Sequence, residues 1–280
     1  MRSRVQTRDM AVGMNMRAIA SRTAALVVAA TVFVAAAASG DEINVMTSGA
    51  FTAAYLELVP EFERATRNKV VTTFGGSMGA GPETIPNRLQ RGEPADVVIL
   101  AAAALDDLIK QGKVVAGSRV DLVRSSIGMA VRAGAPKPDI SSVAALKQTL
   151  LRAKSIAYSA SASGVYLSTE MFQRLGIADQ VLPKSKNAEG QRVGALVARG
   201  EAEIGFQQIS ELLPEPGIDY VGPLPPEVQR VTVFSAGIAV GAKKPAEARA
   251  LIRFLASENA IGVIKKTGLE PLTVAATVGR

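Results

Sequence analysis

Serine and glycine recur in three short loops, each of which follows a predicted strand and precedes a predicted helix. The loops cover residues 47–49, 75–78 and 159–164. Hydroxyl groups and backbone N–H groups at the start of a helix suit a small anion, because the helix dipole adds partial positive charge there. A serine before a helix is also an ordinary cap, and each loop alone favours that structural interpretation. Because three strands end in such loops, we predict one shared anion site with these ligand-binding residues: Ser48, Gly49, Gly76, Ser77, Met78, Ser161, Ser163 and Gly164.

The elements that must hold these loops alternate between strand and helix. Apolar, β-branched runs at residues 43–46, 70–74 and 97–100 predict strands, and the apolar spacing in residues 103–110 predicts a helix. This alternation predicts an α/β fold with mostly parallel sheets flanked by helices. In such sheets, ligands bind at the carboxyl ends of the strands. Two loops come early and one after the middle of the chain, so we expect two lobes that face each other across a cleft.

The first 40 residues are typical of a secretory signal peptide. Arg17 and Arg22 precede an apolar stretch at residues 24–38, and small residues follow before Asp41. We therefore expect cleavage near residues 38–40 and release into a bacterial periplasm. The chain has no cysteine, which excludes a lipid anchor at the cleavage site and excludes disulfides.

Composition and motifs exclude several classes of function. The net charge is +7, but residues 1–40 contribute five arginines and one aspartate, so the rest of the chain is close to +3. Because no basic run stands out, we expect no nucleic-acid binding. Residues 75–79 match the G-x-S-x-G nucleophile pattern, yet the chain has no histidine to serve as its base. With neither histidine nor cysteine we predict no metal site, and without a P-loop or dinucleotide motif we predict no cofactor.

Residues 91–99 read Arg-Gly-Glu-Pro-Ala-Asp-Val-Val-Ile, which resembles the G-x-P-A-D-hydrophobic signature of the type II periplasmic solute-binding proteins. Residues 198–205 are similar to that family as well. The resemblance is to the group around the molybdate-binding protein of ABC importers, and it covers nearly all of residues 42–270. It implies a two-lobe α/β fold that closes over an anion, a monomer, and an ABC importer as the membrane partner.

The same resemblance implies how the chain is divided. Lobe 1 would consist of residues 41–125 and 231–280, and lobe 2 of residues 126–230. Two crossing strands would join the lobes and act as the hinge. Residues 215–226 are rich in proline and glycine and predict a linker.

Several residues depart from the pattern of the molybdate-binding members. Those proteins usually have A-S-L-T at the first loop, whereas residues 48–52 here read Ser-Gly-Ala-Phe-Thr, so Ala50 takes the place of the anion-binding hydroxyl. An extra segment, residues 81–86, follows the second loop. Gln207 or Gln208 stands where a ligand-contacting tyrosine is common. These departures favour a larger, planar organic anion over a tetrahedral oxyanion.

A narrower resemblance, over residues 155–166 and 205–214, is to the periplasmic aconitate isomerase branch of this superfamily. It implies interconversion of cis- and trans-aconitate by an allylic proton shift, which needs a base within hydrogen-bond reach of the substrate. The candidates for the base are Glu83, Glu189 and Tyr166, and the sequence does not choose among them. The resemblance implies that the tricarboxylate would be held by Ser48, Ser77, Ser161, Ser163, Gln208 and either Arg88 or Arg192. Tyr166 and Gln207 are also predicted as ligand-binding residues.

Two functions are therefore predicted. The favoured one is a periplasmic substrate-binding protein that captures a small anion for an ABC importer, with an organic polycarboxylate preferred over molybdate. The alternative is an aconitate isomerase. Turnover of trans-aconitate distinguishes the two.

Overall fold

Strands and helices alternate along residues 41–272, which the computed structural model describes. The predicted signal peptide, residues 1–40, lies outside the described residues, as do residues 273–280 of the predicted second part of lobe 1. None of the helices within 41–272 is long and apolar enough to cross a membrane.

The strands and helices have the following bounds. The strands are β1 (Glu42–Thr47), β2 (Lys69–Phe74), β3 (Val97–Ala101), β4 (Val120–Ser125), β5 (Ile127–Arg132), β6 (Ile156–Ser159), β7 (Ser185–Ala188), β8 (Ile204–Gln208), β9 (Ile218–Pro223), β10 (Thr232–Ile238) and β11 (Glu270–Pro271). The helices are α1 (Gly49–Thr66), α2 (Ile85–Gln90), α3 (Ala102–Lys110), α4 (Val143–Arg152), α5 (Ala162–Tyr166), α6 (Phe172–Arg174), α7 (Ala178–Val181), α8 (Val193–Ala198), α9 (Ile209–Leu212), α10 (Pro245–Leu255) and α11 (Ile261–Lys266). A π-helical turn, Leu167–Met171, joins α5 to α6.

The strands form two sheets, one in each lobe. Sheet 1 has the order β11-β4-β10-β3-β1-β2, and sheet 2 has the order β7-β6-β8-β5-β9. β1 pairs parallel with β2 and β3, and β6 pairs parallel with β7 and β8. The other pairs are antiparallel. All of them except β11 with β4 involve β5 or β10, which enter their sheets directly from the other lobe instead of through a crossover helix. The predicted two-lobe α/β fold is confirmed, with sheets that are mixed rather than mostly parallel.

Side chains on both faces of the central strand β3 are buried, which explains its unbroken apolar run. Along β3, Val97 and Ile99 pack in one cluster with residues of α1 and α10. Val98 and Leu100 point to the opposite face and pack in a second cluster with Leu105 of α3. Strands buried on both faces need apolar residues at successive positions. This packing holds the ends of the strands, and the loops that follow them, in fixed positions.

The chain crosses between the sheets twice. β4 passes into β5 through Ser126, and β9 leads to β10 through residues 224–231. The prediction of a linker at residues 215–226 is wrong in part, because this stretch contains β9, which pairs with β5 at the edge of sheet 2. All residues of β9 are partly or fully exposed to solvent, so the strand has no buried apolar pattern. Its last residue is Pro223, and proline is tolerated in edge strands. The exact lobe boundaries remain a prediction.

Asp96, the aspartate of the signature at residues 91–99, has a structural role. Its side chain is buried, and Oδ2 accepts a hydrogen bond from the N–H of Asn44 at 2.8 Å. Oδ1 accepts hydrogen bonds from the N–H groups of Lys243 and Lys244, at 2.6 and 3.1 Å. The carboxylate therefore ties β1 to the segment between β10 and α10. Hydrogen bonds from several backbone donors offset the loss of water around a buried charge.

Candidate functional site

A cavity of about 460 Å³ lies between the two lobes, at the carboxyl ends of their parallel strands. In sheet 1, Thr47 pairs with Phe74 and Ile99, so β1, β2 and β3 end at a common edge. In sheet 2, Ser159 pairs with Ala188, so β6 and β7 end together as well. The three serine loops follow these ends and meet in the cavity. Its wall includes the following residues singled out from the sequence: Ser48, Gly49, Gly76, Ser77, Met78, Glu83, Ser161, Ser163, Glu189, Arg192, Gln207 and Gln208.

Three polar atoms on this wall are buried and lack a hydrogen-bond partner among residues 41–272. They are Ser48 Oγ, Thr84 Oγ1 and Gln208 Oε1. Ser48 occupies the cap position of α1, yet its side chain makes no capping hydrogen bond. Leaving such an atom unpaired typically costs about 1–3 kcal/mol of folding free energy, and a polar ligand that pairs with it offsets that cost. The wall is therefore suited to a ligand that exchanges hydrogen bonds with these groups.

Ser77 and Ser161 connect the lobes beside the cavity. The N–H of Ser77 donates to Ser161 Oγ at 3.1 Å, and Ser77 Oγ accepts from the N–H of Ala101 at 2.9 Å. Each hydroxyl keeps a hydrogen that it can donate to a ligand. A second link joins the lobes where Ser210 Oγ donates to the carbonyl oxygen of Ala50 at 2.7 Å. The lobes thus contact each other directly around the cavity.

Gln207 and Glu211 form the part of the wall that follows β8. Gln207 Oε1 accepts from the N–H of Val193 at 3.2 Å, and Gln207 Nε2 donates to Glu211 Oε1 at 2.8 Å. The Glu211 carboxyl packs against Gly49 of the other lobe, so that a Cβ at position 49 would lie 1.9 Å from Oε1. Burial raises the pKa of Glu211 to about 7, while the hydrogen bond from Gln207 and the charge of Arg192 act in the opposite direction. Near neutral pH this carboxyl can therefore take up or release a proton.

Residues 43–270 match the family described as bacterial extracellular solute-binding protein. The match covers nearly all of the residues that the structure describes. The chain belongs to this family. The resemblance to periplasmic solute-binding proteins drawn from the sequence is thereby confirmed.

Two relatives cover most of this solute-binding protein. It is 48% identical to an aconitate isomerase of a Pseudomonas species over 230 residues, which are 82% of this chain and 88% of that protein. It is 29% identical to the molybdate-binding protein ModA of Azotobacter vinelandii over 245 residues, which are 84% of this chain and 92% of that protein. Among solved structures, the periplasmic molybdate-binding protein of A. vinelandii has the same fold, with a TM-score of 0.64 and 22% identity over 81% of this chain and 98% of that chain.

Two predicted ligand-binding residues of this solute-binding protein lie outside the cavity wall. Tyr166 is buried, its hydroxyl donates to the carbonyl oxygen of Val228 at 2.9 Å, and the Arg230 guanidinium lies 4.3 Å from the centre of its ring. Gly164 of α5 lies very close to the end of β6, since a Cβ at position 164 would be 1.5 Å from the carbonyl oxygen of Ser159. Packing in the core explains the tyrosine at position 166, and the close approach of the backbone explains the glycine at position 164.

The remaining predicted charged residues lie at the rim of the cavity. Glu83 is on the wall, but its side chain is 65% exposed and pairs with Arg88, which lies outside the wall. Glu189 is exposed as well. Arg192 brings positive charge to the wall, and its exposed side chain pairs with Glu215 at 3.3 Å. Of these wall groups, only the Arg192 guanidinium carries a charge that attracts an anion, whereas the Glu83 and Glu189 carboxylates repel one.

Thr84 and Glu211 are among the wall residues that were not predicted from the sequence. Thr84 belongs to the extra segment at residues 81–86, whose position in the fold the sequence did not indicate. Glu211 lies in the first turn of α9, directly after the end of β8, and ligands bind at such strand ends in α/β sheets, which was the available signal. Its burial depends on Gly49, a neighbour from the other lobe.

Proposed function

We propose that the protein binds a small organic polycarboxylate in the cavity between its lobes. The unpartnered Ser48 Oγ carries this proposal, because a buried hydroxyl at the start of the 18-residue helix α1 can donate to a carboxylate where the helix dipole favours negative charge. Ser77 and Ser161 place further hydroxyl groups on the same wall. A volume of about 460 Å³ is typical of sites for small organic molecules and leaves more room than a four-oxygen anion requires.

Family membership supports a role in import. The predicted signal peptide would take the protein to the periplasm, where it would bind its ligand and deliver it to an ABC importer. Binding would shift an equilibrium between open and closed arrangements of the lobes, because the ligand contacts both lobes only when they are closed. The molybdate-binding relative is consistent with recognition of negative charge in this cleft.

A second function, isomerisation of the bound anion, is supported by the 48% identity to an aconitate isomerase. Aconitate is an unsaturated tricarboxylate, so it fits the ligand class proposed for the cavity. Moving its double bond requires a base that reaches a C–H group of the ligand. The wall carries a partly buried carboxyl of suitable chemistry in Glu211.

Mixing the purified protein with trans-aconitate tests both functions. We expect calorimetry to detect binding of trans-aconitate and to detect no sub-micromolar binding of molybdate, because the cavity and the first loop are not built for a tetrahedral anion. NMR signals of cis-aconitate that grow with time would establish the isomerase. Binding without turnover would establish a solute-binding protein alone, whereas tight molybdate binding without aconitate binding would overturn the proposed ligand class.

Replacing Ser48 with alanine should weaken trans-aconitate binding by about 1–3 kcal/mol, because a ligand carboxylate loses a buried hydrogen-bond donor. The melting temperature should not fall, since Ser48 Oγ has no partner among the described residues. Ser142→Ala is the matched control, because Ser142 Oγ accepts from the N–H of Ala145 as the cap of α4. That variant should lose about 1 kcal/mol of stability and keep normal affinity. A Ser48→Ala variant with normal affinity in calorimetry and a lower melting temperature would show that Ser48 is only a helix cap.

A further inference from the structure

We infer that Glu211 is the catalytic base that moves the proton during isomerisation of the bound tricarboxylate. This inference rests on the second function proposed above.

The Glu211 carboxyl is held in the cavity wall by contacts from both lobes. From its own lobe, Gln207 Nε2 donates to Oε1 at 2.8 Å, and the other carboxyl oxygen, Oε2, has no hydrogen-bond partner among residues 41–272. From the other lobe, the backbone of Gly49 approaches so closely that no side chain would fit between them. Gly49 directly follows Ser48, whose free hydroxyl shares the wall. The base and a donor for a ligand carboxylate thus lie on the same wall of the cavity.

The other candidates for the base are less suited by their surroundings. The Glu83 carboxylate pairs with Arg88 and is largely exposed, so a cation and water compete for its lone pairs. Glu189 is exposed at the rim. The Tyr166 hydroxyl donates its hydrogen to the carbonyl oxygen of Val228 and lies outside the cavity wall. Glu211 combines partial burial, a single hydrogen bond and an oxygen available to substrate.

The charged and polar groups around Glu211 keep its carboxyl able to titrate near neutral pH. Burial raises its pKa to about 7, against the effects of the Gln207 hydrogen bond and the Arg192 charge. Arg192 itself is paired with Glu215, which limits the positive charge that Glu211 experiences. A base whose pKa is near the working pH transfers protons efficiently in both directions.

The proposed step is balanced without an oxidant, a reductant or a second reactant. The Glu211 carboxylate takes a proton from the methylene carbon of trans-aconitate, so a C–H bond breaks and an O–H bond forms. The released electron pair spreads over the three-carbon allyl unit and the adjoining carboxylate of the substrate. The carboxyl then returns the proton to the former vinylic carbon, which shifts the double bond and regenerates the Glu211 carboxylate.

The test compares the wild-type protein with Glu211→Gln, Glu211→Asp and the control Glu61→Gln, which changes an exposed carboxylate of α1. Turnover of trans-aconitate is followed by NMR, and binding of tricarballylate, a saturated analogue that cannot isomerise, is measured by calorimetry. We expect Glu211→Gln to lower kcat by about 10²–10⁴-fold with little change in tricarballylate affinity. Glu211→Asp should retain measurable turnover, and Glu61→Gln should match the wild type. The wild-type kcat/KM should rise with pH through about 7, as Glu211 loses its proton.

The outcomes separate this inference from the function on which it rests. A wild-type protein that isomerises trans-aconitate, with a Glu211→Gln variant of nearly equal kcat, would overturn the role of Glu211 and leave the isomerase function standing. A wild-type protein that binds trans-aconitate without turnover would overturn both. If Glu211→Gln does not fold, the wild-type pH profile decides, because a rate that does not change from about pH 5 to about pH 9 is incompatible with this base.

Discussion

Gly49→Ala should lower the rate of trans-aconitate turnover by about 100-fold, because displacing a catalytic group by about 1 Å can have an effect of this size. A Cβ at position 49 would lie 1.9 Å from Glu211 Oε1 and 2.8 Å from its carboxyl carbon, so the carboxyl must move away from the start of α1. The melting temperature should change little, since the end of a glutamate side chain can rotate and alanine is favourable in a helix. Initial rates and thermal unfolding measure the two effects separately.

Gly262→Ala is the matched control for this prediction. Gly262 lies in α11, and apart from its own helix backbone and chain neighbours a Cβ there would meet no atom of residues 41–272 within 4 Å. Its turnover should equal that of the wild type, with a small gain in stability from the higher helix propensity of alanine. Equal rates for Gly49→Ala and the wild type would show that the carboxyl does not have to occupy its observed position, which would contradict the role given to Glu211.

Asp96→Ala should reduce the free energy of unfolding by about 3–4 kcal/mol, because three backbone N–H groups lose their acceptor in a buried site. The N–H groups belong to Asn44, Lys243 and Lys244, so β1 and the segment before α10 both lose an anchor. Urea unfolding followed by circular dichroism measures the change. Ligand affinity of the folded fraction should be kept, since Asp96 lies outside the cavity wall.

An exposed aspartate provides the comparison for Asp96. Asp107 of α3 has a side chain that is 64% exposed and pairs with Lys110 at 3.1 Å. Asp107→Ala should therefore change the free energy of unfolding by no more than about 0.5 kcal/mol. If the two alanine variants unfolded at the same urea concentration, the hydrogen bonds to Asp96 would not have the anchoring role assigned to them.

Strands with an apolar or β-branched run were predictable, and the two edge strands of sheet 2 were not. The run at residues 97–100 predicts a strand because β3 is buried on both faces. β7, Ser185–Ala188, is mostly polar and partly exposed at the edge of sheet 2, so its sequence carries no such pattern. β9 lies in a proline- and glycine-rich stretch at the other edge of sheet 2, and because it is also partly exposed, its sequence has no apolar pattern. Edge strands depend on pairing with a neighbour more than on burial.

Several residues of the cavity wall could be predicted from the sequence because their positions follow from local rules. Ser48, Ser77 and Ser161 each follow the end of a strand, and parallel strands place such ends at one edge of a sheet. The assignment of Tyr166 to the ligand rested on the resemblance alone. In the structure, its hydroxyl binds Val228 instead, since a tyrosine on a helix face can equally well point into the core.

The sequence by itself determined the two-lobe α/β fold, the serine loops at the strand ends and the resemblance to solute-binding proteins, because these depend on patterns within short segments. Only the tertiary structure decided which acidic residue of the cavity wall is partly withdrawn from water. The contacts that do so join distant segments, as where Ser210 and Ala50, 160 residues apart, bring α9 against α1 and place Glu211 beside Gly49. Burial, and with it the pKa of a carboxyl, is set by such neighbours and cannot be assigned from the residues adjacent in the chain.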